Sequence, residues 1–244
     1  MNDQTLEQCK IQAGRCYNCG VPFCQTGCML DGKPYGCPLH NLIPEWNDML
    51  RKGNAAHALS RLLKVNPFPE FTGRVCPGFC QRACVRSAVD GAVTIRENEL
   101  FLAEYGFEKG LIVPVEPKVR SGCTVAIIGS GPMGLTAAHL LSSRGHSVTV
   151  FEQGTEPGGQ LISTIPETRL PRDIVHRRIH MLEQQGVVFR TGEAVGPEAL
   201  STGYDSVIPC TGGKQNPFVA FAIAAGKRAA AQAELSLMGY TNLP

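Results

Sequence analysis

Residues 123–152 read Cys-Thr-Val-Ala-Ile-Ile-Gly-Ser-Gly-Pro-Met-Gly-Leu-Thr-Ala-Ala-His-Leu-Leu-Ser-Ser-Arg-Gly-His-Ser-Val-Thr-Val-Phe-Glu. The apolar run Val125 to Ile128 meets a glycine-rich turn, Gly129-Ser130-Gly131-Pro132-Met133-Gly134. A helical stretch follows from Leu135 to Arg144, and a second apolar run ends on the acid Glu152. Strand, turn, helix and strand make a βαβ unit, which needs a parallel sheet with covered faces. The glycines admit a tight turn and close approach of a pyrophosphate, whose charge sits at the helix N-terminus. Glu152, eighteen residues past Gly134, stands where an acid accepts from ribose hydroxyls. These residues define a dinucleotide site without separating FAD from NAD.

Working outward, the chain after Glu152 predicts a loop at Gly158-Gly159, a helix near 173–185, a strand at Val187 to Arg190 and a short strand at 205–210. The last element is an Ala-rich helix from Phe218 to about Leu237, with Gly226 inside it, suited to close packing on the sheet. No second glycine-rich fingerprint occurs. On the other side, Leu111-Ile-Val-Pro-Val-Glu-Pro-Lys118 reads as an extended linker, with the boundary near 112–121. Earlier still, Leu42, Ile43, Trp46, Met49, Leu50, Ala55, Ala58, Leu59, Leu62 and Leu63 recur at three- and four-residue intervals, broken near Gly53. They predict two helices, with a further helix from Ile95 to about Gly106.

The 244 residues suit two small domains, taken as 1–115 and 116–244. A net charge of +2 supplies no general attraction to nucleic acid or anionic membrane. No run reaches the roughly 18 apolar residues of a membrane span. The polar, acidic start lacks the pattern of a secretory leader, so the expected location is cytoplasmic. In a reducing compartment eleven cysteines point to metal or redox chemistry rather than disulfides. Nine of them, Cys9, Cys16, Cys19, Cys24, Cys28, Cys37, Cys76, Cys80 and Cys84, lie in the first 84 residues.

Two loops carry the pattern: Cys16-x2-Cys19-x4-Cys24-x3-Cys28-x8-Cys37-Pro38 and Cys76-Pro77-x2-Cys80-x3-Cys84. Thiolates on tight loops with Cys-Pro steps fit iron-sulfur clusters. Structural zinc is the alternative, but it usually pairs two Cys-x2-Cys knuckles and only Cys16/Cys19 has that spacing.

The strings Arg-Cys-x2-Cys-Gly-Val-Pro-Phe-Cys-Gln-Thr-Gly, Gly-Cys-Pro-x2-Asn-Leu-Ile-Pro-Glu-Trp-Asn and Asn-Pro-Phe-Pro-Glu-Phe-Thr-Gly-Arg-Val-Cys-Pro closely resemble the small (β) subunit family of glutamate synthase. Relatives of that family include the N-terminal part of dihydropyrimidine dehydrogenase and the large subunit of ferredoxin:NADP transhydrogenases. The resemblance implies an α-helical N-terminal domain with two 4Fe-4S clusters, plus an α/β Rossmann-like FAD-binding domain that is truncated and lacks the family's inserted NAD(P)H domain. It assigns Cys16, Cys19, Cys24 and Cys84 to one cluster, and Cys37, Cys76, Cys80 and the non-cysteine Glu99 to the other. Cys28 could replace Cys37, and Cys9 stays a free thiol. For FAD the resemblance implies Gly129, Ser130, Gly131, Pro132, Gly134, Glu152, Gln153, Gly159, Leu161, Arg169, Thr211 and Gly212, with Val195 meeting adenine through its backbone.

Departures from the family bear on function. After Thr-Gly-Gly-Lys-Gln-Asn-Pro the chain passes at once to the final helix, without the NAD(P)H domain or the Gly-Asp element that holds the flavin end. Thr164 replaces a glycine, and Pro209 falls in a strand, where it removes a ladder hydrogen bond. Either the FAD site is simplified or a partner subunit completes it. The implied function is an iron-sulfur flavoprotein oxidoreductase subunit, passing electrons between FAD and two 4Fe-4S clusters beside a larger redox partner that could supply the NAD(P)H site. One alternative is the NAD(P)H-dependent small subunit that supplies electrons for glutamate formation, and another is a non-catalytic assembly protein with structural clusters. No catalytic triad assembles. Surface positions account for the six histidines, a solvated helix face for Arg172, Arg177 and Arg178, and buried strand ends for Cys123 and Cys210.

Overall fold

Thr5 opens helix α1 (Leu6–Gly14) with a capping box: its hydroxyl accepts from Gln8 N at 3.3 Å while its own N–H donates to the Gln8 side chain at 2.9 Å. The computed structural model describes residues 5–211 and 218–243. The chain divides into two compact units, Met1–Ile112 and Val113–Pro244.

In the first unit the first cysteine loop carries a 3-10 turn, Phe23–Gln25, and a hairpin of two short antiparallel strands, β1 (Cys28–Leu30) and β2 (Lys33–Tyr35). Helices α2 (Ile43–Arg51) and α3 (Ala55–Leu63) follow, separated at Gly53, whose φ is +80°. Then come α4 (Pro69–Val75), α5 (Phe79–Arg82), a 3-10 turn at Val85–Ala88, and α6 (Ile95–Glu108). The periodic residues Ile43, Trp46, Leu50, Ala58, Leu59 and Leu62 are buried in one core with Ala13 of α1 and Leu102 of α6. Each such Leu or Ile is worth about 1.5–3 kcal/mol on burial, so this helical frame accounts for much of the unit's order. Trp46 also donates from Nε1 to Asn41 Oδ1 at 3.1 Å, tying the chain after Cys37 to α2.

The second unit is built on β3 (Thr124–Ile128), α7 (Pro132–Ser143) and β4 (Ser147–Glu152), the βαβ unit read from the sequence. It continues through α8 (Gln160–Ser163), α9 (Arg172–Gln184), β5 (Val188–Thr191), α10 (Pro197–Leu200), β6 (Ser206–Pro209) and α11 (Val219–Met238). The four strands are parallel in the order β5-β4-β3-β6, with Ile127 opposite both Val150 and Ile208. Val125, Ala126 and Ile127 are wholly buried, as a central strand covered on both faces requires.

Two expectations change here. Pro209 removes no bond between β6 and β3: the ladder passes it through Cys210 N–H to Ile128 O at 2.8 Å, and among the described residues β6 is an edge strand, where proline is tolerated. The Ala-rich helix α11 packs chiefly on α7 rather than on the sheet. Gly226 permits that approach, since a Cβ there would lie 2.7 Å from Thr136 Cβ and collide with the Met133 carbonyl. No helix among the described residues is long and apolar enough to cross a membrane.

Candidate functional site

The cysteines of the first unit sort into two sets. Cys16, Cys19, Cys24 and Cys84 line one pocket with Tyr17, Phe23 and Asn47. Burial pushes the Cys24 thiol up to about 12, with the nearby Cys16, Cys84 and Cys19 adding to the shift. Cys16 is raised too, by burial first, while the Asn18 backbone N–H pulls it back. Asn47 is wholly buried, and its Nδ2 has no acceptor among the described residues. A donor with no acceptor in a four-thiol pocket fits a sulfur-rich group placed there.

Cys37, Cys76 and Cys80 gather around Glu99. Burial lifts Cys37 to about 12 and raises Cys76, in each case with Glu99 among the neighbours that reinforce the shift. Cys80 is raised well above its ordinary value by burial and then by Cys37, Cys76 and Glu99. Backbone N–H groups of Asn41 and Leu39 pull Cys37 down, and those of Gly78 and Phe79 do so for Cys76. Donors aimed at the sulfurs are what cluster thiolates use. Burial likewise lifts the Glu99 carboxyl to about 7, against hydrogen bonds from Thr72 and Asn66.

Cys28 stands apart, exposed on β1 with its Sγ 3.5 Å from Thr26 Oγ1. Cys37 is drawn inward instead, its N–H donating to Cys24 O at 2.7 Å. Cys9 is a core residue with no exposure, and burial raises its thiol to about 12. Among the described residues no three His, Cys, Asp or Glu side chains converge tightly enough for a single metal ion.

In the second unit a cavity of about 790 Å³ opens at the C-terminal ends of β3 and β4, within the size range of ligand pockets. Gly129, Gly131, Pro132, Glu152, Gln153, Gly159, Val195 and Thr211 line it. Gly129 has a φ of +102°, and its N–H donates to Phe151 O at 2.7 Å, locking turn to strand. Gly134 does not line the cavity: a Cβ there would run into the Gly129 carbonyl, so it closes the turn. Ser130, also off the cavity wall, donates to Glu152 Oε2 from its N–H (3.0 Å) and hydroxyl (2.5 Å) and accepts from Gly158 N at 2.8 Å. Burial alone would raise the Glu152 carboxyl, but these bonds and those from Gly154 and Gln153 outweigh it and hold the pKa below the ordinary range. A fixed carboxylate facing a cavity headed by the α7 N-terminus fits a dinucleotide: ribose on the acid, pyrophosphate on the helix.

A family model described as dihydropyrimidine dehydrogenase domain II, 4Fe-4S cluster, matches residues 1–111, and one described as an NAD(P)-binding Rossmann-like domain matches residues 127–190. The small chain of glutamate synthase (NADPH) from Bacillus subtilis (strain 168) is 48% identical over 213 residues, covering 86% of this chain and 43% of its own length. The chain is a homologue of the glutamate synthase small chains. It is also 42% identical over 206 residues to the Mycobacterium tuberculosis (strain ATCC 25618 / H37Rv) small chain, covering 83% of this chain and 40% of that one. Glutamate synthase (NADH) of Saccharomyces cerevisiae is 40% identical over 215 residues, which are 86% of this chain and 10% of the yeast protein. This homologue spans about two fifths of the length of the small chains it matches. Its first unit matches a 4Fe-4S domain and its second a Rossmann-like dinucleotide-binding domain.

Some expected contacts are not brought to the cavity. Leu161 is 1% exposed in the core and Arg169 is not among the lining residues. The expectation for Gly212 falls outside the described residues. Conversely, Arg172 lines the cavity at the start of α9, 3.4 Å from Glu156, instead of standing on a purely solvated face. Arg178, on the same helix, is 3% exposed. His146 is not a surface histidine either: it is 1% exposed, with Nδ1 2.8 Å from Ser121 Oγ. Cys210 lines the cavity, whereas Cys123 is only half-buried. Arg172 is the first residue of α9, directly after its N-cap Pro171, and that neighbouring proline is the sequence signal for a helix start here.

Proposed function

We propose that this chain is an electron-transfer component of a larger redox enzyme, with FAD in the cavity of the second unit and two 4Fe-4S clusters in the first. Cys16, Cys19, Cys24 and Cys84 hold one cluster; Cys37, Cys76, Cys80 and Glu99 hold the other. The observation that carries the reading is that Cys16, Cys19, Cys24 and Cys84 line one pocket while Cys37, Cys76 and Cys80 neighbour Glu99. When bound, FAD converts two-electron into one-electron chemistry and the clusters carry single electrons. The chain's own residues bind and shield. Glu152 holds the ribose, the α7 N-terminus faces the pyrophosphate, and buried thiols ionise only as they take up iron, so loading releases protons. Thiolate ligands suit a reducing compartment, which supports a cytoplasmic location.

An anaerobic reductive titration tests the assignment. Uptake of about four electrons per chain is expected, two for the flavin and one for each cluster. Flavin bleaching with redox-silent clusters would contradict it and favour an assembly role. A second reading, favoured by the 48% identity to a small chain of glutamate synthase (NADPH), makes NADPH the donor and a larger subunit the acceptor for glutamate formation. Flavin bleaching on anaerobic mixing with NADPH alone supports it, and no bleaching places the nicotinamide site on another subunit.

A further inference from the structure

The carboxylate of Glu99 is gripped from one side. Its Oε1 accepts from Asn66 Nδ2 at 2.6 Å and from Thr72 Oγ1 at 2.8 Å, whereas no described residue donates to Oε2. Both donors are themselves fixed. Asn66 Oδ1 accepts from Phe68 N at 3.1 Å, which turns the amide nitrogen towards Glu99, and that nitrogen also donates to Thr72 Oγ1 at 2.7 Å. The threonine hydroxyl, with one lone pair taken, then has its proton for Glu99; its alternative acceptors, Phe68 O and Pro69 O, are further away at 3.4 and 3.5 Å. Asn66, Thr72 and Glu99 are 0%, 3% and 6% exposed. They come from the turn before α4, from α4 and from α6, so the arrangement exists only in the folded unit.

Satisfying a buried carboxylate requires donors, but nothing requires both on the same oxygen. Two donors on Oε1 fix the plane of the group and leave Oε2 as its open end, on a residue that neighbours Cys37, Cys76 and Cys80. We propose that Asn66 and Thr72 are positioning residues for the second cluster: they hold Glu99 by Oε1 so that Oε2 is presented to the one iron that lacks a thiolate. This rests on the assignment of Glu99 as a ligand. Two consequences follow from outer-shell chemistry. The donors draw electron density from the carboxylate, which weakens its donation to iron and raises the cluster's potential. They also restrict the ligand's rotation, which slows loss of that iron.

The test uses the full chain, purified anaerobically, as wild type and as Thr72→Val, Thr72→Ser, Asn66→Leu and Glu99→Ala. Reduced samples are read by electron paramagnetic resonance, the cluster midpoints by redox titration, and iron per chain by timed exposure to air. Thr72→Val is expected to leave the first cluster's signal unchanged, alter the second's and lower its midpoint. It should also speed loss of one iron per chain by about 10–100-fold, the usual penalty for losing an outer-shell partner. Thr72→Ser, which keeps the hydroxyl, should behave as wild type. Asn66→Leu, near-isosteric without donors, gives the same readout if Thr72→Val does not accumulate. Wild-type signals and iron retention in these donor-less variants, with an altered signal in Glu99→Ala, would overturn the positioning role and leave Glu99 a ligand. A wild-type signal in Glu99→Ala would instead remove the ligand assignment and the proposal with it.

Discussion

The second unit carries its site on a completed scaffold, whereas the first brings its site together from loops. Around the nucleotide cavity, β3 is bonded on both edges by β4 and β6, and the lining residues come from the turn after β3, the end of β4 and the loops beyond it. In the first unit the apolar core of α1, α2, α3 and α6 holds the frame and reaches Cys24 and Cys80, with Cys16, Cys37 and Cys84 packed against it. The proposed ligands are spread from Cys16 to Glu99, with a hairpin of two three-residue strands and single helical turns between them. Four acidic groups in each set face few cations, Arg86 beside the first and Arg96 beside the second, so ionising them without iron would push the loops apart. A preformed site tolerates loss of its ligand, and an assembled one does not.

The largest effect should come from removing iron. Chelation under reducing conditions is expected to abolish amide-exchange protection across 16–37 and 76–84 while leaving 124–152 protected. Equal loss in both units would erase the contrast. Next in size, Gly134→Val should weaken FAD binding by at least about 100-fold through the opened turn, with iron content unchanged, as read by equilibrium dialysis and iron assay. Gly226→Ala forces α11 off α7 and should destabilise the second unit by about 1–3 kcal/mol in thermal unfolding. Pro209→Val, at the open edge, should stay within about 0.5 kcal/mol of wild type.

A pH dependence in the second unit gives a further test. Burial, with Arg178 nearby, holds His139 at about 4 against an ordinary 6.5, despite its contact with Gln185. Between those values the unfolded chain binds a proton that the folded chain does not. The stability present above 6.5 therefore falls as the pH drops towards 4. His139→Gln should lose less thermal stability than wild type between pH ~7 and ~5. An identical slope would show that His139 does not titrate on unfolding.

The same contrast decides what the sequence makes legible. Strands, turn and helix of the βαβ unit follow each other within thirty residues, so period and glycine spacing place them almost to the residue. The periodic core of α2 and α3 is equally local. Helix α4 is not: its seven residues begin at a proline and include Gly73, a poor helical stretch by propensity. It is set by α6, because a Cβ on Gly73 would lie 2.8 Å from Leu100 Cβ. The grip of Asn66 and Thr72 on Glu99 depends on that packing and leaves no trace in spacing. Arg178 and His146 likewise look like surface residues in sequence and are buried by tertiary contacts.

On the proposed function, one chain holds two clusters in an assembled site and one flavin in a preformed one. Anaerobic purification followed by assay of iron, acid-labile sulfide, zinc and FAD on the same sample tests it most directly. About eight iron, about eight sulfide and about one FAD per chain are expected. An iron-free protein containing zinc would contradict it.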